Sequence, residues 1–332
     1  MRTVLGRTIV IGLVAVAALA LSGCGSSAGG TGPSGSDTGP VPVVTSTNVW
    51  SDVVAQIGGE QVVVTALISD PAADPHSFEP NAQAQLALSK AALVVENGGG
   101  YDDFVQTMLA SAGTTAPVIT AVDVSGLAND PDSAQQSSGA DTSHSTAASG
   151  GADGHDHGEF NEHVWYDLPA VDRVASAVAD QLAAIRPDQA DYFRANLATF
   201  QDKIAGLTGK IDAIKAAHDG AKVAITEPVP LYLTEAAGLV NLTPDEFSEA
   251  IEQGTDVPPT VLAMTLALLT DQQVVVLVYN EQTSSPETEQ MLTAAKDNGI
   301  AVVAVTETLP EGKDYLSWMD TNISALADAL GR

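Results

Sequence analysis

Two patterns of apolar residues alternate along the chain after residue 40. Short runs rich in β-branched residues are separated by longer stretches in which apolar residues recur every three or four positions. The first pattern is typical of buried strands and the second of amphipathic helices. The predicted strands are Val41–Thr45, Val62–Ile68, Leu93–Glu96, Val118–Val122, Lys222–Thr226, Leu239–Leu242, Val274–Tyr279 and Ala301–Val305. The predicted helices are Asn48–Ile57, Asn81–Ala91, Tyr101–Ala112, Leu168–Ile185, Pro187–Ala217, Pro228–Ala237, Pro259–Leu269, Glu287–Asn298 and Tyr315–Leu330. This order predicts an α/β fold with parallel sheets.

The strands and helices form two series, one on each side of a long helical stretch. In that stretch, apolar residues from Phe193 to Ile214 follow alternating spacings of four and three, which predicts one continuous helix face. The roughly 290 residues beyond residue 40 are also enough for two domains. We therefore predict two similar α/β lobes, residues 41–185 and 219–332, joined by a rigid linking helix over residues 186–218. Ligands of such sheets lie at the carboxyl ends of the strands, which predicts a site in the cleft between the lobes.

The first 40 residues carry the signals of an exported lipoprotein. Arg2 and Arg7 precede an apolar stretch that is too short for a convincing membrane span, and the stretch ends in Leu21-Ser22-Gly23-Cys24. This pattern predicts a signal peptide over residues 1–23 and lipidation of Cys24. Residues 24–40 are rich in glycine and serine, which favours a flexible tether.

A second segment of low complexity interrupts the first lobe. Residues 129–158 contain mostly serine, glycine, alanine and aspartate, and they predict a disordered insertion. The insertion contains three histidines that would be too mobile for a defined site. They could either capture a metal ion weakly or belong to a neutral linker. These histidines are His144, His155 and His157.

Net charge and cysteine content exclude several classes of function. The formal net charge is −29, which argues against binding of nucleic acid and is compatible with binding of cations. Because Cys24 is the single cysteine, the chain has neither an internal disulfide nor a cysteine zinc site. Any metal ligands must be histidine, aspartate or glutamate.

Two histidines stand out as candidate metal ligands. His76 lies in the proline-bracketed turn Asp74-Pro75-His76-Ser77-Phe78-Glu79-Pro80, after a predicted strand. His163 lies in Asn161-Glu162-His163-Val164-Trp165, before a predicted helix. A fixed neutral imidazole is a good ligand for a transition metal. Each histidine could instead be purely structural.

Carboxylates at strand ends in the second lobe complete a candidate site. Glu227 follows the strand that ends at Thr226, and Glu307 follows the strand that ends at Val305. Glu227 precedes a proline and could instead begin a helix. Glu281 follows another strand and competes with Glu307. A set of two histidines and two glutamates suits Mn²⁺, Zn²⁺ or Fe²⁺.

Several motifs together resemble one protein family over residues 41–330. They are Asp74-Pro75-His76 with Phe78-Glu79-Pro80, Glu96-Asn97-Gly98, Asn161-Glu162-His163-Val164-Trp165 with Asp167, Thr226-Glu227 with Tyr232, and Asp314-Tyr315-Leu316-Ser317-Trp318-Met319 with Asn322. The chain resembles the substrate-binding lipoproteins of ABC importers for zinc and manganese. The resemblance implies two lobes around a buried metal ion whose four ligands are His76, His163, Glu227 and Glu307.

The resemblance leaves the choice of metal open. Manganese-type relatives often have glutamate at the position of Glu227, where zinc-type relatives often have histidine. A histidine-containing insertion before the second histidine is instead typical of the zinc type. The last ligand is commonly aspartate, so Glu307 departs from the family pattern. Zn²⁺ binds most such sites more tightly than Mn²⁺, which places zinc slightly ahead.

The same resemblance implies partners and a location. We expect a monomer outside the cytoplasm, lipid-anchored to the bacterial cell membrane, which delivers its ion to an ABC permease with an ATPase subunit. It would not be an enzyme. Two alternatives are a surface adhesin or structural lipoprotein in which the metal only stabilises the fold, and a secreted metallohydrolase. The latter lacks a His-Glu-x-x-His helix and a Gly-x-Ser-x-Gly elbow.

Overall fold

The computed structural model describes residues 39–70, 78–127 and 160–331. These residues belong to one compact unit, Gly39–Arg332. The predicted signal peptide, Cys24, nearly all of the tether, His76 and the insertion with its three histidines lie outside the described residues. Within the described residues, no helix is both long and apolar enough to cross a lipid bilayer.

Two four-stranded parallel sheets form the centres of two lobes. The first sheet has the strand order β2-β1-β3-β4 and the second the order β6-β5-β7-β8. The strands are β1 (Val41–Thr47), β2 (Val62–Ile68), β3 (Leu93–Glu96), β4 (Val118–Thr120), β5 (Lys222–Ile225), β6 (Val240–Asn241), β7 (Val276–Asn280) and β8 (Ala301–Val305). The prediction of an α/β fold with two parallel-sheet lobes is confirmed.

Eleven α-helices are present among the described residues. They are α1 (Asn48–Gly58), α2 (Ala82–Lys90), α3 (Phe104–Ala112), α4 (Ala121–Ser125), α5 (Leu168–Ile185), α6 (Ala190–His218), α7 (Leu231–Ala236), α8 (Asp245–Glu252), α9 (Pro259–Thr270), α10 (Pro286–Asp297) and α11 (Tyr315–Leu330). Polar side chains cap several of their N-termini. Asn81 accepts hydrogen bonds from two amides of the first turn of α2, and Asp167 caps α5. Asp314 and Ser317 form a capping box at α11.

The structure differs from the sequence-based assignment at several element boundaries, and it adds a helix. The predicted strand Val118–Val122 ends at Thr120, and α4 begins at the next residue. The predicted helix that began at Tyr101 begins at Phe104, because Tyr101 lies in a turn. Helix α8 was not predicted at all. Its signal is present in the chain, since Phe247, Ala250 and Ile251 follow helical spacing and are buried.

Helix α6 spans both lobes. Its 29 residues correspond to a length of about 43 Å. The apolar face predicted from the spacing is buried at six of its seven positions, while Leu197 is half-buried. One hydrophobic cluster continues from β1 of the first lobe through α6 to β8 of the second. The two lobes therefore share a core, which opposes a wide hinge movement between them.

Candidate metal site

Three polar side chains lie together at the carboxyl edge of the second sheet. Glu227 follows β5 by two residues, Asn280 is the last residue of β7, and Glu307 follows β8 by two residues. The three residues are 1–4% exposed. Strand β7 pairs with both β5 and β8, so these strand ends are neighbours. This is the edge at which open parallel sheets bind ligands.

Asn280 holds the two carboxylates in a common arrangement. Its Nδ2 donates a hydrogen bond to Oε2 of Glu227 and another, of 2.9 Å, to Oε1 of Glu307. Glu227 does not begin the next helix, because α7 starts at Leu231 and Pro230 precedes it without a side-chain cap. One amide that orients two buried carboxylates is the arrangement expected around a metal ion.

His163 comes to the site from the first lobe and is fully buried. Its Nδ1 lies 2.7 Å from Oδ1 of Asn161, which can only accept a hydrogen bond. Nδ1 therefore carries the proton in the neutral ring, and Nε2 carries the lone pair that can bind a metal. The ring packs edge-on against Tyr101 and Trp165, at centroid distances of 5.9 and 5.1 Å. These contacts fix the imidazole.

The segment that contains His163 is attached to the first sheet through Asn97. This residue follows β3, and its Nδ2 donates a 2.9 Å hydrogen bond to the carbonyl oxygen of Glu162. Its Oδ1 accepts a hydrogen bond from the indole of Trp50. Asp102 in turn accepts hydrogen bonds from the amides of Asn97 and Gly98. The position of His163 thus depends on the carboxyl edge of the first sheet.

Hydrogen bonds between the lobes close the cleft around these groups. Tyr101 of the first lobe donates to Oε2 of Glu307 at 3.3 Å. Burial and the Glu307 carboxylate raise the pKa of the Tyr101 hydroxyl well above its usual value, so it remains a donor. Tyr232 of the second lobe donates to the carbonyl oxygen of Asn161 at 2.6 Å, and Nδ2 of Asn161 donates to that of Pro228 at 3.2 Å. The structure is a closed arrangement of the two lobes.

The structure adds Glu162 and Glu252 to the groups near His163. One ligand atom from each of the three residues lies within 4.8 Å of the others. The Nε2 atom of His163 is 3.6 Å from Oε1 of Glu252. Burial, and then the charges of Glu162 and Glu227, raise the pKa of Glu252 to about 10. A cation that binds between these carboxylates would relieve their mutual repulsion.

A small cavity marks the space available to a ligand. Its volume is about 90 Å³. The lining residues are Glu227, Val229, Ile251, Glu252, Gly254, Thr283 and Glu307. Organic ligands usually occupy cavities of about 300–1,000 Å³, so this volume suits an ion and not an organic substrate. One imidazole nitrogen and several carboxylates are also a donor set that suits a divalent transition metal.

The structure places some of the predicted site residues at or beside the cavity and others away from it. Glu227 and Glu307 line one cavity together with Glu252, and His163 lies beside it, 3.6 Å from Glu252. The competing Glu281 is exposed and does not line the cavity. His218, which is not one of the predicted ligands, is half-buried at the end of α6 and does not line the cavity. Nothing is described for His76, His144, His155 or His157. The residues that sequence reasoning missed are Tyr101, Asn280 and Glu252.

Comparisons with known proteins match most of the length of this chain. The family model described as zinc-uptake complex component A periplasmic, ZnuA, matches residues 43–329. The metal ABC transporter substrate-binding lipoprotein FimA of Streptococcus parasanguinis is 24% identical over 91% of this chain and 93% of its own length. The manganese ABC transporter substrate-binding lipoprotein PsaA of Streptococcus pneumoniae is 23% identical over 90% and 91%.

A solved structure shows the same fold. The periplasmic zinc binding protein TroA from Treponema pallidum superimposes with a TM-score of 0.68 at 16% identity. The match covers 89% of this chain and 100% of that protein.

Proposed function

Since the chain belongs to the zinc-uptake complex component A periplasmic family, we propose that it captures a divalent transition metal outside the cytoplasm and passes it to an ABC importer. Its relatives are substrate-binding proteins of ABC importers and not enzymes. One observation carries the proposal for this chain. The buried imidazole of His163 lies 3.6 Å from Glu252, which lines a small cavity together with the oriented carboxylates of Glu227 and Glu307.

The proposed ligands are His163, Glu227 and Glu307, with His76 as the fourth. His76 follows β2, which lies in the same parallel sheet as β3. The carboxyl end of β3 carries Asn97, which supports the His163 segment. A loop after β2 therefore starts from the correct edge of the sheet to reach the cleft. Four protein ligands leave no open position for a reacting water, which favours binding over catalysis.

We propose Zn²⁺ or Mn²⁺ as the ion, with zinc bound more tightly in vitro. The Irving–Williams order favours Zn²⁺ over Mn²⁺ at almost any site with nitrogen and oxygen ligands. The carboxylates of Glu227 and Glu307 favour the harder Mn²⁺ relative to a site richer in histidine. The histidines of the insertion, in contrast, follow the zinc-type pattern. Which metal the protein carries in its host therefore depends on supply as well as on affinity.

Release of the ion requires the lobes to separate slightly at the permease. The hydrogen bonds of Tyr101 to Glu307 and of Tyr232 to Asn161 cross the cleft and would break in that step. The shared core and α6 keep the lobes together during this movement. We infer a small opening that weakens the site by parting His163 from the two carboxylates.

The test of this function is the metal bound to the protein in its own host. We expect the purified protein to contain roughly one zinc or manganese ion per chain and to rebind either metal after chelation. Metal analysis and isothermal titration measure both quantities. A variant that lacks residues 129–158 should keep its single high-affinity site, because the proposed ligands lie outside that segment. Absence of binding for both metals would contradict the proposal.

We also propose that Cys24 carries the lipid anchor and that the protein acts as a monomer. The expected result for Cys24→Ala is release of the protein from the membrane fraction, since the acyl chains would be lost. Ser26→Ala, two residues further along the tether, is the control and should remain in the membrane fraction. Immunoblots of the two fractions measure the distribution, and retention of Cys24→Ala in membranes would refute lipidation there. Light scattering of the metal-loaded protein should report the mass of one chain.

A further inference from the structure

Glu252 is a buried carboxylate that is not one of the four proposed ligands. It is the last residue of α8 and lines the same cavity as Glu227 and Glu307. It also faces His163 of the other lobe. The carboxylate thus lies where the two halves of the proposed site meet.

The distance between Glu252 and His163 fits two ligands of the same ion. Two ligand atoms that are each about 2.1 Å from a metal, at a tetrahedral angle, are about 3.4 Å apart. The observed separation between Oε1 of Glu252 and Nε2 of His163 is 3.6 Å. Little movement is needed for both atoms to bind one cation.

The burial of Glu252 also supports a role in metal binding. Its side chain is only 6% exposed. Its Oε1 atom is buried and has no hydrogen-bond partner among the described residues. Among the described residues, no lysine or arginine forms an ion pair with Glu252. The charges that act on it include those of Glu162, Glu227 and Glu307. A buried carboxylate among other carboxylates is costly unless a cation joins them.

We propose that Glu252 is an additional ligand of the bound ion and that it contributes more to the binding of Mn²⁺ than to that of Zn²⁺. This inference rests on the proposed function. Zn²⁺ is satisfied by four ligands in a tetrahedron. Mn²⁺ prefers oxygen ligands and a higher coordination number, so a further carboxylate stabilises it more. Glu252 therefore reduces the difference in affinity by which the site binds Zn²⁺ more tightly than Mn²⁺.

The test compares Glu252→Gln with Glu249→Gln in the full chain. Glu249 lies on the same helix and is exposed, so its variant should match the unmodified protein. For Glu252→Gln we expect the Kd for Mn²⁺ to rise at least about tenfold and the Kd for Zn²⁺ about threefold or less. Isothermal titration with each metal alone measures both constants. Without metal, the two variants should unfold at nearly the same temperature as the unmodified protein, because glutamine has nearly the same size and shape as glutamate.

Several outcomes separate this inference from the proposed function. Unchanged affinity for both metals in Glu252→Gln would overturn the inference, as would an equal loss for both. A lower unfolding temperature of the metal-free variant, with equal losses, would show a purely structural residue and also overturn it. If the unmodified protein bound neither metal, the proposed function itself would fail. The expected Mn²⁺-specific loss supports the role of Glu252.

Discussion

Replacement of His163 by alanine is expected to weaken the binding of Zn²⁺ by about 100-fold or more. Mutation of residues that only hydrogen-bond to the ligands of a metal site already lowers metal affinity by about 10–100-fold, and loss of a ligand should cost at least as much. His163 supplies the only described nitrogen ligand of the proposed set, and its Nε2 lone pair is oriented by the hydrogen bond to Asn161. Competition with a fluorescent zinc chelator measures the change. The same variant should also show a smaller rise in unfolding temperature on addition of zinc, since stabilisation by a ligand grows with the logarithm of its concentration divided by its Kd.

His218→Ala is the matched control for this experiment. His218 is a half-buried histidine at the end of α6 and does not line the cavity. Its variant should bind zinc as tightly as the unmodified protein. Equal affinities of the His163→Ala and unmodified proteins would show that the ion binds elsewhere. Circular dichroism of the metal-free His163→Ala protein distinguishes the loss of a ligand from the loss of the fold.

Replacement of Glu307 by glutamine is expected to lower metal affinity by about 10–100-fold, whereas Glu281→Gln should have no effect. Glu307 is 4% exposed and accepts hydrogen bonds from Asn280 and Tyr101. Glu281 is exposed. Glutamine keeps the size of the side chain and an acceptor for Asn280, but it removes the negative charge that attracts the ion. Isothermal titration with zinc and with manganese measures both variants.

This pair of variants decides between the two glutamates that compete for the last ligand position. A loss of affinity in Glu281→Gln, with none in Glu307→Gln, would reverse the assignment. Both variants should unfold at similar temperatures without metal, because neither substitution changes the size of a side chain.

Much of the fold was predictable because its signals are local. The alternation of strand-like runs and helical stretches predicted parallel sheets, and all eight strands were placed within two residues of their observed ends. The stripe from Phe193 to Ile214 predicted the long helix for the same reason, since the spacing of apolar residues follows directly from helix geometry. Helix α8 was missed although Phe247, Ala250 and Ile251 carry a similar, shorter signal.

The candidate site was predictable only in part. His163, Glu227 and Glu307 could be selected because each follows a recognisable motif or strand end. Glu252 gave no such signal, because it ends a helix that was not predicted and is distant along the chain from His163. Tyr101 was predicted in a helix, but its contact with Glu307 depends on a turn. Contacts between residues far apart in sequence are not encoded in any short segment.

By itself, the sequence determined the order and type of the elements, the family resemblance, and a set of histidines and glutamates suited to a metal. Those properties depend on local periodicity and on the chemistry of single side chains. Only the tertiary structure decided that Asn280 orients both Glu227 and Glu307, that Glu281 faces solvent, and that Glu252 faces His163 across the cleft. The physical reason is that burial and the distance between two side chains arise only when both lobes pack on their shared core.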